Sequence, residues 1–229
     1  MRAIFLENLS DYSLDSEIDY SGESLHHLVN VIRIKVNEEI LILDGLGLIL
    51  TVNCLAITKK NIKFRILKIE NKKSFNRFCV LSKIKRDSLE LAIKGAIECG
   101  VTNFIILNSQ FSQNHQLNFD RLEKIAISAL LQSNNPFVCK IEEINSLEDL
   151  VNRFGERLLI LDNFTNKLPD TNLNMKKEDC VIVVGPEGGF SENERAFFQE
   201  RNLRSISFDS PIMRAETALI AGLSYLYYS

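Results

Sequence analysis

The sequence predicts an α/β protein in which a small β-barrel-like module precedes a larger domain built on a parallel sheet. Three observations carry that reading. Beyond residue 74, short segments that are apolar throughout alternate with longer segments of helical period, the pattern of a parallel sheet covered on both faces. Before residue 70, short strand-like runs are separated by turn residues. The chain has 229 residues, 45% apolar and 25% charged, a folded composition long enough for one large domain or two modest ones.

Taken in order, Ser21–Ile34 places Leu25, Leu28, Val29 and Ile32 at helical spacing. Glu39–Asp44 reads as a strand, Asp44-Gly45-Leu46-Gly47 as a hairpin turn, and Leu48–Ile57 as the return strand. Lys59-Lys60-Asn61 turns again, and Ile62–Ile69 alternates as a half-exposed strand does. The polar stretch Glu70–Ser74 is the linker, so the expected boundaries are 1–72 and 73–229. After it come strands at Phe78–Ser82, Phe104–Asn108, Phe137–Ile141, Leu158–Asp162, Cys180–Val184 and Ser205–Phe208. The helices between and after them are expected at Asp87–Cys99, Asp120–Gln132, Ser146–Phe154, Glu192–Arg201 and Ala215–Tyr228.

Composition excludes several classes. No apolar run approaches the ~20 residues of a membrane span, and Glu7 interrupts any secretory apolar region, so a cytoplasmic protein without a membrane partner is expected. Five scattered cysteines without a C-x-x-C pair read as buried reduced thiols, and with three histidines no metal site is expected. A net charge of −3 and a pI near 5.7 are unlike a protein that coats nucleic acid. Any RNA surface must therefore be a local basic patch.

Two loops concentrate the chemistry. Val181–Val184 ends in Gly185-Pro186-Glu187-Gly188-Gly189-Phe190-Ser191, where the glycines let main-chain groups approach a ligand with no Cβ between. Ser191 and Glu194 have capping-box spacing, so a helix starts there. The loop lacks the Gly-Lys-Ser/Thr of a Walker motif. The second loop, Phe208-Asp209-Ser210-Pro211-Ile212-Met213-Arg214-Ala215-Glu216-Thr217-Ala218, also joins a strand to a helix. Glu216 suits the positive end of that helix, whereas Arg214 opposes it and so has the weaker structural justification of the two. Ligands of parallel sheets bind beyond the strands' carboxyl ends, where both loops fall.

GPEGGFS followed by IMRAETA resembles the paired signature of the RsmE family, bacterial 16S ribosomal RNA methyltransferases that act on N3 of a uridine and belong to the knotted SPOUT group. The resemblance extends to the segment Glu23–Arg33, the Asp44–Gly47 turn, a helix with Lys85, Glu90, Glu98 and Gly100, and a helix with Arg121, Ala129, Gln132 and Ser133. It implies a PUA-like RNA-binding barrel, then a trefoil-knotted domain holding S-adenosylmethionine, in a homodimer acting on 16S rRNA of the small ribosomal subunit and not on DNA. Matched onto this sequence, the cofactor-binding residues are Leu161, Asp162, Gly185, Pro186, Glu187, Gly188, Gly189, Ser207, Phe208, Ser210, Ile212, Met213 and Thr217. The chain departs from the pattern at Asp209, where glycine is usual, and at Pro211, Gly95, Phe111 and Asn134-Asn135, where basic residues are common.

Methylation of N3 requires the methyl in line with N3, removal of the N3 proton, and stabilisation of charge on the ring carbonyls. Arg214 is the candidate for the last, as a charged donor fork. Either Glu187 or Glu216 is the candidate proton acceptor, although a carboxylate at a helix start or loop also serves a purely structural role. Candidate RNA contacts are Arg2, His27, Arg33, Lys35, Lys83, Lys85, Arg86 and Arg121. Two other functions fit the same residues: a knotted methyltransferase with a different RNA target, such as ribose 2′-oxygen or another base, or a non-catalytic ribosome-assembly factor, which Asp209 motivates.

Overall fold

In the computed structural model the described residues are 2–7, 12–21, 25, 28–29, 33–163, 176 and 179–228. They fall into two compact units, Met1–Ser74 with Leu130–Val138, and Phe75–Ala129 with Cys139–Ser229.

The first unit holds a five-stranded sheet of β1 (Ala3–Phe5), β2 (Glu17–Tyr20), β3 (Glu39–Leu43), β4 (Leu48–Ile57) and β5 (Ile62–Asn71), in the order β1-β3-β4-β5-β2. The β3–β4 hairpin turns where Asp44-Gly45 predicts it. Asp44 Oδ1 accepts the amides of Leu46 and Leu48 at 2.7 and 2.9 Å, and Gly45 and Gly47 take positive φ. Alternate residues Leu50, Val52 and Cys54 of β4 and Ile62, Phe64 and Ile66 of β5 face one core. The sequence pattern does not reveal β1 and β2. With three and four residues they are too short for a period to register, and β1 is added by parallel pairing to β3. The expected helix at Ser21–Ile34 lies largely outside the described residues, as does His27.

From Phe75 onward the chain follows the predicted alternation: β6 (Phe78–Ser82), α1 (Arg86–Glu98), β7 (Asn103–Leu107), α2 (Phe119–Ser133), β8 (Lys140–Ile144), α3 (Leu147–Phe154), β9 (Leu158–Leu161), β10 (Val181–Val184), α4 (Glu192–Glu200), β11 (Arg204–Ile206) and α5 (Ala215–Tyr228), with the end of α2 from Leu130 belonging to the first unit. The six strands form one sheet in the order β11-β9-β10-β6-β7-β8, and every pairing is parallel. Alternation within each strand makes two cores. Ile182 and Val184 of β10 pack with α1 and α5, whereas Val181 and Val183 pack with Leu150, Phe154 and Phe198 of α3 and α4. β8 begins three residues later than the sequence suggests, because Phe137 instead forms an isolated bridge with Leu46.

The strand order places a switch point between β6 and β10. From β6 the chain winds to β7 and β8 on one side, then returns to β9, β10 and β11 on the other. A crevice opens at such a reversal, beyond the strands' carboxyl ends.

The candidate active site

A cleft of about 820 Å³ lies at that reversal. It lies within the size range of small-molecule sites. Four strand ends supply its walls: Lys85 and Ser88 after β6, Leu161, Asp162 and Asn163 after β9, Val184–Phe190 after β10, and Ile212–Glu216 after β11, with Ala218 behind.

The loop after β10 is fastened at each turn. The Gly189 amide donates to the Pro186 carbonyl at 2.8 Å, and Gly189 has φ +72°, a left-handed conformation that side chains disfavour. A Cβ on Gly185 would approach the Phe190 ring at 3.2 Å and the Gly189 carbonyl carbon at 3.3 Å, so the loop folds tightly on itself. The predicted capping box is present. Ser191 Oγ accepts the Glu194 amide at 3.2 Å, and Glu194 Oε2 accepts the Ser191 amide at 2.8 Å. The other Glu194 oxygen accepts the Gln110 amide at 2.8 Å, tying the loop after β7 to α4.

Glu187 Oε1 accepts the Lys85 amide at 3.0 Å, at the start of α1, and Oε2 accepts the Gln113 side-chain amide at 3.4 Å. Partial burial by itself would raise this carboxyl. The Lys85 amide, its own amide and Gln113 outweigh burial and hold it below the ordinary carboxylate range. Glu216, in the first turn of α5, accepts the Ser88 hydroxyl at 3.2 Å, joining α5 to α1. Arg214 is exposed at the cleft, and among the described residues its guanidinium has no ion pair or hydrogen bond.

Asp162 forms a two-pronged pair with Arg195 of α4, at 2.6 Å from Nε and 3.3 Å from Nη2. No motif singles out Arg195, although it sits near the start of α4 much as Arg214 sits just before α5. The pair joins the β9 loop to the helix that follows the glycine loop.

Of the expected cofactor residues, Leu161, Asp162, Gly185, Pro186, Glu187, Gly188, Gly189, Ile212 and Met213 line the cleft, and so do Arg214 and Glu216. Ser207, Phe208, Ser210 and Thr217 do not. Phe208 packs toward the core against Tyr225, their ring centroids 6.1 Å apart. Asp209 is exposed and off the cleft lining, so it does not close the site. Ser88 and Asn163 belong to no recognisable motif and are brought in by topology alone.

The basic residues divide. Arg2, Arg33 and Lys35 gather around Glu38: Arg2 Nη1 lies 3.1 Å from its carboxylate and 3.3 Å from the Arg33 carbonyl, and the Lys35 amide donates to Glu38 at 2.9 Å. Lys85 borders the main cleft. Arg86 and Arg121 border a second cleft of about 770 Å³ with His115, and Arg121 is clamped to Glu90 at 2.6 and 3.1 Å. Lys83 corrects an expectation. It is buried, with its ammonium 2.6 Å from Glu143, so as folded it does not reach a phosphate. Burial, then Arg86 and Lys83, push the His115 imidazole below its ordinary value. All five cysteines are free thiols, four of them buried, and burial pushes Cys139 up to about 12.

Comparison with known proteins agrees with this geometry. A family model for the RNA methyltransferase domain matches residues 71–227, and one for the RNA methyltransferase PUA domain matches residues 20–67. The chain is 30% identical over 211 residues to a ribosomal RNA small subunit methyltransferase E of Rickettsia conorii, covering 89% of this chain and 86% of that one. It is 31% identical to ribosomal RNA small subunit methyltransferase E 2 of Borreliella burgdorferi, covering 87% and 86%. Among solved structures, the ribosomal RNA small subunit methyltransferase E of Neisseria gonorrhoeae bound to S-adenosyl methionine superimposes with a TM-score of 0.80 at 23% identity, over 99% of this chain and 96% of that one. The glycine loop, the capped helix behind it and the parallel sheet beneath are therefore the parts of an RNA methyltransferase, and the chain belongs to the ribosomal RNA small subunit methyltransferase E family.

Proposed function

We propose that this chain transfers a methyl group from S-adenosylmethionine to N3 of a uridine in 16S rRNA of the small ribosomal subunit. The observation that carries this reading is the single cleft in which the glycine loop meets the Ile212–Glu216 loop, with the Arg214 guanidinium beside it unengaged among the described residues. The residues present fit the cofactor. Leu161, Pro186, Ile212 and Met213 give an apolar wall for an adenine ring, and Gly188 and Gly189 present main chain without side chains. A Cβ on Gly188 would meet Phe111 at 3.6 Å, an ordinary van der Waals contact.

When bound, S-adenosylmethionine supplies an electrophilic methyl on a positively charged sulfur. The chain's own residues do the rest. The fastened glycine loop fixes the cleft's shape before substrate arrives, so little ordering remains to oppose catalysis. Arg214 donates to a uracil carbonyl oxygen and stabilises the negative charge that grows there as N3 loses its proton. Of the two candidate carboxylates, Glu187 has both oxygens engaged in holding α1 and Gln113 to the loop. Glu216, held on one oxygen by Ser88, is thus assigned as the acceptor of the N3 proton.

In the same proposal residues 1–72 form the PUA-like RNA-binding domain, with Arg2, Arg33 and Lys35 as its phosphate-facing patch, and residues 73–229 form the knotted methyltransferase domain. The active species is a cytoplasmic homodimer. Among the described residues no helix is long and apolar enough to cross a membrane. The test is incubation with methyl-labelled S-adenosylmethionine and small subunits from cells lacking the gene, followed by nucleoside mass spectrometry. N3-methyluridine is the expected product. Label in a ribose or another base overturns the target, and absence of both binding and label overturns the enzyme.

A further inference from the structure

We propose that Phe111 is a stacking platform for an RNA base next to the target uridine, a reading that rests on the RNA methyltransferase function above. A single exposed apolar side chain is ordinary on a protein surface. What sets Phe111 apart is how it is held and what it borders.

The ring sits in the turn after β7 and is 50% exposed. The turn is closed by its own hydrogen bonds. Ser112 Oγ accepts the Ser109 amide at 2.9 Å, and the Ser112 amide donates to the Ser109 carbonyl at 3.1 Å. From the other side, the buried carboxylate of Glu194 takes the Gln110 amide at 2.8 Å. The same carboxylate caps α4, so the turn bearing Phe111 and the end of the glycine loop are braced by one side chain. An apolar ring is thereby presented to solvent on a pre-ordered backbone, which reduces the entropy lost on binding.

Phe111 lines a cleft of about 440 Å³ with Gln110, Gly188, Phe190, Asn193 and Arg195. Gly188 and Phe190 also line the main cleft, so the two hollows have these two residues in common. The rim carries the side-chain amides of Gln110 and Asn193, which donate and accept hydrogen bonds as base edges do, with Ser191, Glu192 and Arg195 beside them. One aromatic face with amides at its rim suits an unpaired base. A protein partner would require a wider contiguous apolar patch.

The test uses the full chain and three variants, Phe111→Leu, Phe111→Ala and Phe111→Tyr. The probe is a single-stranded, uridine-rich RNA carrying one 2-aminopurine, whose fluorescence is quenched on stacking. The parent and Phe111→Tyr are expected to quench it. Phe111→Leu, which keeps apolar bulk without a π face, and Phe111→Ala are expected to lose the quench. On small subunits both are expected to raise KM for RNA by about 5- to 150-fold, the equivalent of about 1–3 kcal/mol per stacked base, with kcat little changed. Calorimetric affinity for S-adenosylmethionine is expected to be unchanged in all three. Quenching by Phe111→Leu equal to the parent's overturns the proposal. So does a loss of cofactor affinity parallel to the loss of RNA affinity, or a change of oligomeric state in the variants, which would assign the ring to a second copy of the chain. If the parent quenches the probe but makes no N3-methyluridine, the stacking platform stands and the reaction assigned above falls.

Discussion

Glu194→Ala tests whether one buried carboxylate joins the glycine loop to its neighbour. Glu194 is 8% exposed and accepts two main-chain amides at 2.8 Å, from Ser191 and from Gln110. Removing it leaves a buried Ser191 amide without an acceptor, a loss of about 1–3 kcal/mol. The Gln110 amide is only partly buried, so water recovers much of its bond and its loss adds about 0.5–1 kcal/mol. Relief of the carboxylate's own desolvation offsets a part, giving a net loss of about 1–3 kcal/mol. For a chain of this length that corresponds to a fall in Tm of about 2–12 °C. Glu194→Gln keeps one acceptor oxygen and should fall between parent and Ala. Scanning calorimetry reads the stability. Hydrogen exchange then locates it, with faster exchange expected in peptides covering residues 105–115 and 185–195 and none of comparable size in β3–β5. A loss below about 0.5 kcal/mol in Glu194→Ala, or faster exchange confined to α4 with the β7 turn unaffected, refutes the idea that the carboxylate bridges the two.

Three further outcomes follow from particular contacts. Gly222→Ala puts a Cβ 2.7 Å from Cγ1 and 3.0 Å from Cδ1 of the buried Ile182, so α5 must move off β10; a loss of about 1–3 kcal/mol is expected in denaturant unfolding. Arg195→Ala removes the partner that aligns Asp162 in the cleft proposed for the cofactor, and S-adenosylmethionine affinity should weaken by about tenfold in calorimetry, the worth of roughly one charge-assisted bond, with Arg195→Lys recovering only part because it cannot bind in two prongs. The His115 imidazole should titrate below its ordinary value of 6.5 by NMR; its folded value being the lower, the stability it contributes is complete above 6.5 and declines as pH falls through the folded value, and His115→Gln should remove that dependence.

The legible part of this fold is the part written in periodicity. β9 and β10 are apolar throughout and β6 is apolar up to its last residue, Ser82, because both faces of a parallel sheet are buried, and Val181–Val184 is divided residue by residue between the two cores. The capping box at Ser191 and Glu194 and the Asp44-Gly45 hairpin are equally plain, since each is a local rule satisfied locally. β1 and β2 are not, because their existence depends on partners 38 to 48 residues away rather than on any pattern within three or four residues. Likewise Phe137 looks like the start of β8 on composition, and only its bridge to Leu46 withdraws it.

The site is legible where main chain makes it and obscure where side chains meet across the sheet. Glycine density at a strand's end marks the loop that lines the cleft, and Arg214, which borders the same cleft, stands out because a helix dipole resists it there. Lys83 shows the opposite limit. In sequence it is one more base in the run with Lys85 and Arg86, yet it directly follows the buried end of β6, and the sheet carries Glu143 of β8 to within 2.6 Å of it. A charge buried against a partner on a distant strand is indistinguishable, residue by residue, from one turned toward a phosphate. Ser88 makes the same point with function attached. Nothing nearby marks it, but packing of α1 against α5 delivers its hydroxyl to Glu216 at 3.2 Å. If Glu216 receives the N3 proton, Ser88 helps decide which of its oxygens is free to do so, and Ser88→Ala should shift the pH dependence of kcat while leaving cofactor affinity intact, an outcome that a merely structural contact would not produce.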